Sequence, residues 1–309
     1  MTDHTPPSVA DLVRAPFDET LQPQQRTAIC IQLSELMVRI ATHIVCHTLV
    51  DYQDLLDHER LSVAHAFVQR VTTTHLCNHK LTAEGLVLEY QGQPFELHEE
   101  YKTMMLTRSV YEHLAMFYFL YQHPRTVGER DIVWRYWKIN SKKNLLSDED
   151  HDNPLRQRLV ADIEQLRTEI LNSPIGQQCH KKLDEWTSLT CRPSNGSLEF
   201  TGKTGHYDVR RLTYSQAWRY LFGNSDLEPF YRQLSLHCHP VYHGLLQFQE
   251  QATDDQGSDG IPLYFSCRFL ARLCHLFLKL LPDHSQLLHG AFTPREQQLF
   301  HALADIEAQ

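Results

Sequence analysis

Met104-Met-Leu-Thr-Arg108-Ser-Val-Tyr-Glu112-His-Leu-Ala-Met-Phe-Tyr-Phe-Leu120 is apolar on nearly every side of the helix that it predicts. A helix of this kind usually lies in the centre of a fold, buried by its neighbours. Arg108 and Glu112 lie one turn apart inside it, and charges enter a core only with partners. Because Arg before Glu is the weaker orientation, worth about 0.2–0.5 kcal/mol, we expect the pair to meet polar groups on another helix.

The sequence around this stretch predicts an all-α, multi-helix bundle. The chain has 309 residues, of which 42% are apolar, and only 12 are glycines, so a sizeable helical core is expected and a sandwich or barrel is not. Residues 86–90 are followed by Gly and Pro and predict a short hairpin or an extended turn, and residues 190–206 predict a loop. Helices are predicted over 24–51, 55–78, 97–122, 127–146, 154–186, 214–222, 227–247, 263–281 and 293–308.

The predicted domain organisation is simple. Residues 1–22 have no continuous apolar core and are expected to form a flexible leader rather than a secretory signal. Residues 23–309 are expected to form a single helical domain, with 190–206 as an insertion or a boundary loop. The most apolar segment, 261–281, is interrupted by Arg268, Arg272 and Lys279, so we expect no membrane span.

Charge and cysteine usage narrow the class of protein. The formal net charge of −9 makes a general nucleic-acid coat protein an unfavourable interpretation, although a local basic site is compatible with it. The eight cysteines contain no C-x-x-C pair, which excludes a zinc ribbon and a thioredoxin motif. We therefore expect a reducing, cytoplasmic location.

A second segment carries most of the remaining chemistry. Tyr231, Ser235 and His239 follow one another at intervals of four residues and would share one face of a helix. Pro240 then disturbs the helix. A serine and a histidine presented near a helix break could face Arg108 and form a pocket with an acid/base group, an anion-binding group and hydroxyls.

A metal site is the rival interpretation of the same segment. His237, His239 and His243 offer two or three imidazoles close in sequence. Zinc sites need three or four ligands in a defined geometry, and no H-E-x-x-H motif is present. We therefore expect no metal and no other cofactor.

Two of these motifs carry a resemblance. Arg108-Ser-Val-x-Glu112 in an apolar helix, followed by Tyr231-x-x-Leu-Ser235-x-x-x-His239-Pro, resembles a bacterial family of helical proteins of unassigned function. That family is distantly similar to HEPN proteins, many of which are metal-independent ribonucleases of defence or toxin systems. The resemblance implies a HEPN-like core of long antiparallel helices. It also implies an Arg-x4–6-His active site in which His moves protons and Arg holds phosphate.

Several pairs, among them Arg108–His113 and Arg232–His237, fit the Arg-x4–6-His spacing, but 20 histidines make such spacings common by chance. We predict an RNA- or nucleotide-phosphate-directed protein. The alternative is a non-catalytic interaction or sensor module, acting as a homodimer or with a partner protein, in which the same residues are structural. The predicted catalytic residues are Arg108, Glu112, His239 and His237, and the predicted binding residues are Tyr231, Ser235, His243 and Arg232.

The stretch from Arg125 to Lys143 alternates basic and aromatic residues, which suits a phosphate backbone with base stacking. Aromatic residues in a core with charges on the solvent side are the favoured interpretation.

Overall fold

The computed structural model describes residues 7–48, 59–90, 93–97, 100–146, 153–194, 196–203, 206–223, 234, 260–281, 284 and 286–305, with the backbone alone at 86–90, 93–97, 100–101, 203 and 206. Helix accounts for 77% and strand for 6%, which confirms the predicted all-α multi-helix bundle.

The described residues contain eleven α-helices and two antiparallel hairpins. The helices are α1 Val9–Arg14, α2 Pro23–Thr48, α3 Glu59–Glu84, α4 Glu100–Tyr121, α5 Val127–Leu146, α6 Pro154–Asn172, α7 Pro174–Gln178, α8 His180–Thr187, α9 Tyr214–Phe222, α10 Ile261–Leu278 and α11 Pro294–Ala304. The hairpins are β1 Leu86–Tyr90 with β2 Gln93–Leu97, and β3 Ser197–Lys203 with β4 His206–Leu212. The first hairpin lies where the sequence predicted one.

Two predictions about elements were wrong. The helix predicted over 154–186 is three helices, because the Ser173 side chain caps α7 by accepting from Gly176 N, and Pro174 starts it. The loop predicted over 190–206 contains β3 and the start of β4. Residues 197–200 of β3 are all buried, so the strand lacks the alternation of buried and exposed residues that would mark it in the sequence.

The chain divides into two compact units, and the single helical domain over 23–309 stays a prediction. Unit 1 consists of Met1–Leu114 and Phe222–Gln309, and unit 2 is Ala115–Leu221. One boundary therefore falls inside α4 and the other at the last residue of α9, not in the 190–206 segment. A continuous helix at a boundary gives no local change of composition that sequence analysis could detect.

The core of unit 1 is built on α10, which packs against α2, α3 and α11. Tyr111, Phe269 and Phe222 form an aromatic cluster there, with ring centroids 5.5–6.2 Å apart. Gly260 precedes α10 with a φ of +72°, and a Cβ at this position would lie 3.0 Å from Cys30 Cβ. Glycine is therefore needed where α10 approaches α2.

The described part of the predicted flexible leader is ordered. Ser8 and Asp11 form a capping box that starts α1. Val13 is buried, and its carbonyl oxygen accepts a hydrogen bond of 2.9 Å from the Tyr264 hydroxyl on α10. The ring of Phe17 packs edge-on against that of Tyr264 at 5.4 Å. Apolar burial against α10 thus orders residues whose composition alone resembles a leader.

Two helices, α2 and α10, are long and apolar enough to cross a membrane by length and composition alone, and 44% and 78% of their apolar windows are buried inside the protein. A core helix of a soluble protein meets the same criterion, and the absence of a membrane span stays a prediction. Two charges of α10 serve the fold: Arg268 Nη2 and Arg272 Nη1 donate to the carbonyl oxygens of Asp305 and Ala304, at 3.0 and 3.3 Å. They satisfy carbonyls at the end of α11.

A polar network crosses the core of unit 1. The fully buried His75 of α3 hydrogen-bonds Ser34 of α2 through Nε2 at 3.0 Å and Ser266 of α10 through Nδ1 at 2.7 Å. His79 Nδ1 lies 3.0 Å from the same Ser34 hydroxyl. Burial, with a smaller effect of His79, lowers the pKa of His75 to about 3. The imidazole is therefore neutral at pH 7 and joins three helices.

We expect His75 to make the stability of unit 1 depend on pH. The unfolded chain binds a proton at His75 below about pH 6.5, whereas the folded chain does so only near pH 3. The stabilisation is therefore complete above pH 6.5 and falls by up to about 1.4 kcal/mol per pH unit as the pH decreases toward 3. Urea unfolding followed by circular dichroism between pH 7 and 4 measures this slope. His75→Gln should give a shallower slope, and identical slopes would contradict the assignment.

Unit 2 is built on α5, which packs against α6, α7, α8 and β3. Trp134 and Tyr136 are buried, as favoured for the basic and aromatic stretch. The charges of the same helix pair on the surface: Arg135 Nε donates to Glu169 at 2.7 Å, and Lys142 Nζ lies 2.6 Å from Asp162.

Candidate functional site

A cleft in unit 2 combines acidic, basic and imidazole groups. It has a volume of about 200 Å³. His123 follows the end of α4, Arg125 and Glu129 lie at the start of α5, and Glu199 is on β3. The lining residues are His123, Pro124, Arg125, Glu129, Val133, Leu198, Glu199, Phe200, Thr201 and Gly202.

Glu199 is the centre of the hydrogen bonding in this cleft. Its Oε1 accepts from the Tyr220 hydroxyl at 2.6 Å, and its Oε2 accepts from Arg210 Nε. Arg210 Nη2 also donates to the Tyr220 oxygen at 2.9 Å, which closes a triangle of three side chains. Burial acts to raise the pKa of Glu199, but the hydrogen bonds from Tyr220 and Arg210 outweigh it, so the pKa is lowered. Glu199 is therefore a fixed carboxylate at neutral pH.

His123 is the titratable base of the cleft. Its Nε2 lies 3.6 Å from Glu199 Oε1, and its ring meets that of Tyr220 edge-on at 4.9 Å. Burial lowers the pKa of His123 below 6.5, although Glu199 and Glu129 favour the charged form. The imidazole is therefore mainly neutral at pH 7 and can accept a proton. Glu199 can stabilise the imidazolium that forms.

Arg125 and Glu129 form the second ion pair of the cleft. Glu129 Oε2 accepts from the Arg125 backbone N–H at 2.7 Å, and Oε1 accepts from Arg125 Nη2 at 3.0 Å. The Glu129 N–H donates to Thr126 Oγ1, so Thr126-x-x-Glu129 starts α5 like a capping box. Arg125 Nη2 also donates to the Phe200 carbonyl oxygen at 2.8 Å, which ties α5 to β3. The Arg125 side chain is 55% exposed and that of Glu129 is 3% exposed.

Two of the predicted site residues are described, and they lie in unit 1. Arg108 Nε donates to Glu112 Oε1 at 2.8 Å, so these partly buried side chains pair with each other along α4. The remaining predicted site residues lie outside the described residues, and their roles stay predictions. They are Tyr231, Arg232, Ser235, His237, His239 and His243.

Three described histidines fit the Arg-x4-His spacing, and all three form hydrogen bonds inside the bundle. They are His65 after Arg60, His75 after Arg70, and His113 after Arg108. His65 Nε2 contacts the Val45 carbonyl oxygen at 3.1 Å, and His75 belongs to the core network. His113 Nδ1 contacts the Ser109 carbonyl oxygen at 2.7 Å, and burial lowers its pKa. Within the described part of the chain, no group of three or more His, Cys, Asp or Glu side chains could hold a metal ion.

Comparison with known proteins identifies no relative from which a role for the cleft could be inferred. No family model matches the chain, and no curated protein and no solved structure is similar to it.

Sequence reasoning missed His123, Glu199, Arg210 and Tyr220 as one site. They come from four separate parts of the chain, namely the segment after α4, β3, β4 and α9, and no motif connects them. The one local signal was Thr126-x-x-Glu129, which marks the start of α5 and places Glu129 in the first turn.

Arg125→Gln should destabilise unit 2, because Glu129 would stay buried with only the backbone N–H of residue 125 as its partner in this ion pair. The expected loss is about 2–3 kcal/mol. Adding Glu129→Gln removes the buried charge and should recover part of that loss. All four tryptophans (Trp134, Trp137, Trp186 and Trp218) belong to unit 2, so tryptophan fluorescence during urea unfolding reports on this unit.

Arg39→Gln is the matched control for this measurement. Arg39 is also 55% exposed and pairs with a glutamate, Glu296, in unit 1. Its loss should cost unit 1 less than about 1 kcal/mol and leave the tryptophan transition of unit 2 unchanged. Equal effects of the two substitutions would contradict a structural role for the Arg125–Glu129 pair.

Proposed function

We propose that this protein binds the phosphate groups of RNA or of a nucleotide through unit 2. The observation that carries the proposal is the separation of charge between the units. Unit 2 contains 16 Lys and Arg against 13 Asp and Glu, whereas the rest of the chain contains 13 against 25. A local basic surface on an acidic protein attracts polyanions without general nucleic-acid affinity.

The surface ion pairs sharpen this argument. The described residues of unit 2 hold nine Asp and Glu, and eight of them form ion pairs. These carboxylates are therefore already compensated by cations of the same unit. Over the whole of unit 2, Lys and Arg exceed Asp and Glu by three, 16 against 13, and this excess of positive charge favours an anionic partner.

The cleft offers a position for one phosphate. Arg125 and Arg210 are exposed at 55% and 57% of their side-chain surface, and each is held by a carboxylate. Both are also tied to β3, Arg125 through the Phe200 carbonyl and Arg210 through Glu199. A guanidinium held in this way keeps part of its donor fork for a phosphate oxygen and loses little entropy on binding.

The proposed chemistry is metal-independent cleavage of RNA. His123 takes the proton of a ribose 2′-hydroxyl, whose oxygen attacks the adjacent phosphorus. The bond from phosphorus to the 5′-oxygen breaks, and the leaving 5′-oxygen takes a proton from water. Glu199 stabilises the imidazolium, and Arg125 or Arg210 stabilises the charge on the phosphate. His123 thereby takes the acid/base role for which the sequence favoured His239 or His237. A HEPN-like core, a bacterial defence or toxin system and a cytoplasmic location belong to the same proposal.

Binding is tested by fluorescence anisotropy with a labelled 12-nucleotide single-stranded RNA, with ATP as competitor. Arg210→Gln and Arg125→Gln should each weaken RNA binding by about 3- to 10-fold. Each should also reduce the slope of log K against log salt by about 0.7. Arg39→Gln should leave both quantities unchanged. Wild-type protein that binds neither RNA nor ATP would refute the proposal, as would an equal loss for Arg39→Gln.

Catalysis is tested by RNA cleavage in EDTA. Wild-type cleavage should persist, and His123→Ala should slow it by at least about 100-fold. Because the pKa of His123 is lowered, the fall of the rate with decreasing pH should begin at a lower pH than for an ordinary histidine. Arg108→Ala and His239→Ala test the sequence-derived residues in the same assay. No cleavage by wild type, or equal cleavage by all variants, would eliminate the nuclease role and leave binding alone.

A non-catalytic interaction or sensor module, acting as a homodimer or with a partner protein, is the second candidate. The Arg108–Glu112 ion pair favours it, because these charges pair along α4. The His75 network also favours a non-catalytic module, since both nitrogens of this imidazole are already hydrogen-bonded in the core.

A further inference from the structure

A second cluster of unit 2 surrounds Cys191, in the segment between α8 and β3. Arg211 Nη2 lies 3.0 Å from Cys191 Sγ. Lys143 Nζ, on α5, donates to the carbonyl oxygens of Trp186 and of Cys191 itself, at 3.1 and 3.3 Å. Asn140 Oδ1 accepts from the Ser194 N–H at 2.8 Å and ties the same segment to α5. The position of the sulfur is therefore fixed by several contacts.

The contact between Arg211 and the sulfur identifies the acceptor. A guanidinium is a donor only, so Cys191 Sγ must accept its proton. A thiol sulfur is a weak acceptor, whereas a short bond of 3.0 Å to a cation is typical of a charge-assisted pair. As a thiol, Cys191 donates to the Arg192 carbonyl oxygen at 3.6 Å, an ordinary length for a sulfur hydrogen bond. The sulfur thus lies against a guanidinium, the kind of surrounding that activates cysteines.

The balance of charge supports the same conclusion. Lys143 is buried, and burial lowers its pKa to about 8, so the ammonium is still the main form at pH 7. The carboxylate that acts on it from α6, Glu164, is paired with Arg167 at 3.0 Å. Buried cations need a counter-charge close by. Cys191 acts on both Lys143 and Arg211, and as a thiolate it supplies that counter-charge.

Arg211 is also held in orientation. Its guanidinium carbon lies 4.9 Å from the centre of the Trp186 ring. Its Nε, on the same edge as Nη2, and the buried Tyr136 hydroxyl make no hydrogen bond of normal geometry within the described residues. Tyr136 favours the charged form of Arg211, which places the two groups near each other. Both donors therefore lie near the guanidinium that contacts the sulfur.

We propose that Cys191 is a nucleophilic thiolate and a site of oxidation by hydrogen peroxide. The thiolate sulfur attacks one peroxide oxygen, the S–O bond forms, and the O–O bond breaks. The sulfur loses two electrons and the peroxide leaves as hydroxide, which gives a sulfenic acid. Arg211 and Lys143 hold the sulfur as the thiolate, and Arg211 Nε with the Tyr136 hydroxyl binds the new oxygen.

Alkylation by iodoacetamide, quantified for each cysteine by mass spectrometry, tests the thiolate. Cys46 and Cys77 are free and more exposed than Cys191, so they are controls within the same molecule. Between pH 8 and pH 6 the rates of ordinary thiols should fall by about 100-fold. The rate at Cys191 should fall less than about tenfold and exceed that of both controls at pH 6. A rate at or below theirs, with the same pH dependence, would overturn the proposal.

Substitution of Arg211 tests whether this cation causes the reactivity of Cys191, and dimedone labelling tests whether a sulfenic acid forms. Arg211→Gln should slow alkylation of Cys191 at pH 6 by about tenfold, with folding checked by the thermal midpoint. Arg192→Gln removes an equal charge from the neighbouring residue and should change the rate less than twofold. After exposure to hydrogen peroxide, dimedone should label Cys191 and not Cys46 or Cys77. Absence of the adduct at Cys191 would overturn its role in oxidation, whatever its rate of alkylation.

Discussion

His75 lies where α2, α3 and α10 meet, and both of its ring nitrogens need a hydrogen-bond partner there. Ser34 and Ser266 supply one hydroxyl each from two different helices. A buried polar atom without a partner costs about 1–3 kcal/mol, which is a large fraction of the stability of a domain. Apolar side chains fill the rest of this core and tolerate small shifts of one helix along another. The hydrogen bonds to the two serine hydroxyls tolerate much smaller shifts. The position of the three helices along one another therefore depends on one imidazole.

The same requirement organises unit 2, with charges in place of neutral groups. Glu129 is buried because Arg125 bonds both of its oxygens, through the backbone and the side chain. Glu199 is fixed because Tyr220 and Arg210 bond it. Each carboxylate holds a guanidinium at the edge of the cleft, where part of its surface still faces solvent. A pairing that serves stability thereby produces an oriented cation beside a neutral imidazole.

At Cys191, we propose that the neighbouring cations affect the reactivity of a side chain as well as the stability of the fold. Lys143 fastens the segment to α5 through two carbonyl oxygens, and its charge then lies close to the sulfur. Arg211 adds a second cation on β4, adjacent in sequence to Arg210. Because successive side chains of a strand point to opposite faces, neighbouring arginines can serve the cleft and the cysteine separately.

Most of the helices could be predicted, because their periodicity is a local property of the chain. The predicted bounds of α5 and α9, Val127–Leu146 and Tyr214–Phe222, agree with the structure residue for residue. The break at Ser173 was missed, because Pro174 is compatible with the first turn of a new helix as well as with a kink. The hairpin of β3 and β4 was missed because its seven-residue strands gain their stability from pairing and from packing on α5.

The sequence by itself determined the helical class of this protein and the apolar stripes that its helices bury. Only the tertiary structure decided which of the 20 histidines is buried and which faces a cleft. His75 and His123 look alike in the sequence, yet one is enclosed by serine hydroxyls and the other lies beside a carboxylate. The pKa of a histidine depends on burial and on charges within a few ångströms. Those neighbours come from distant parts of the chain, so no local pattern contains them.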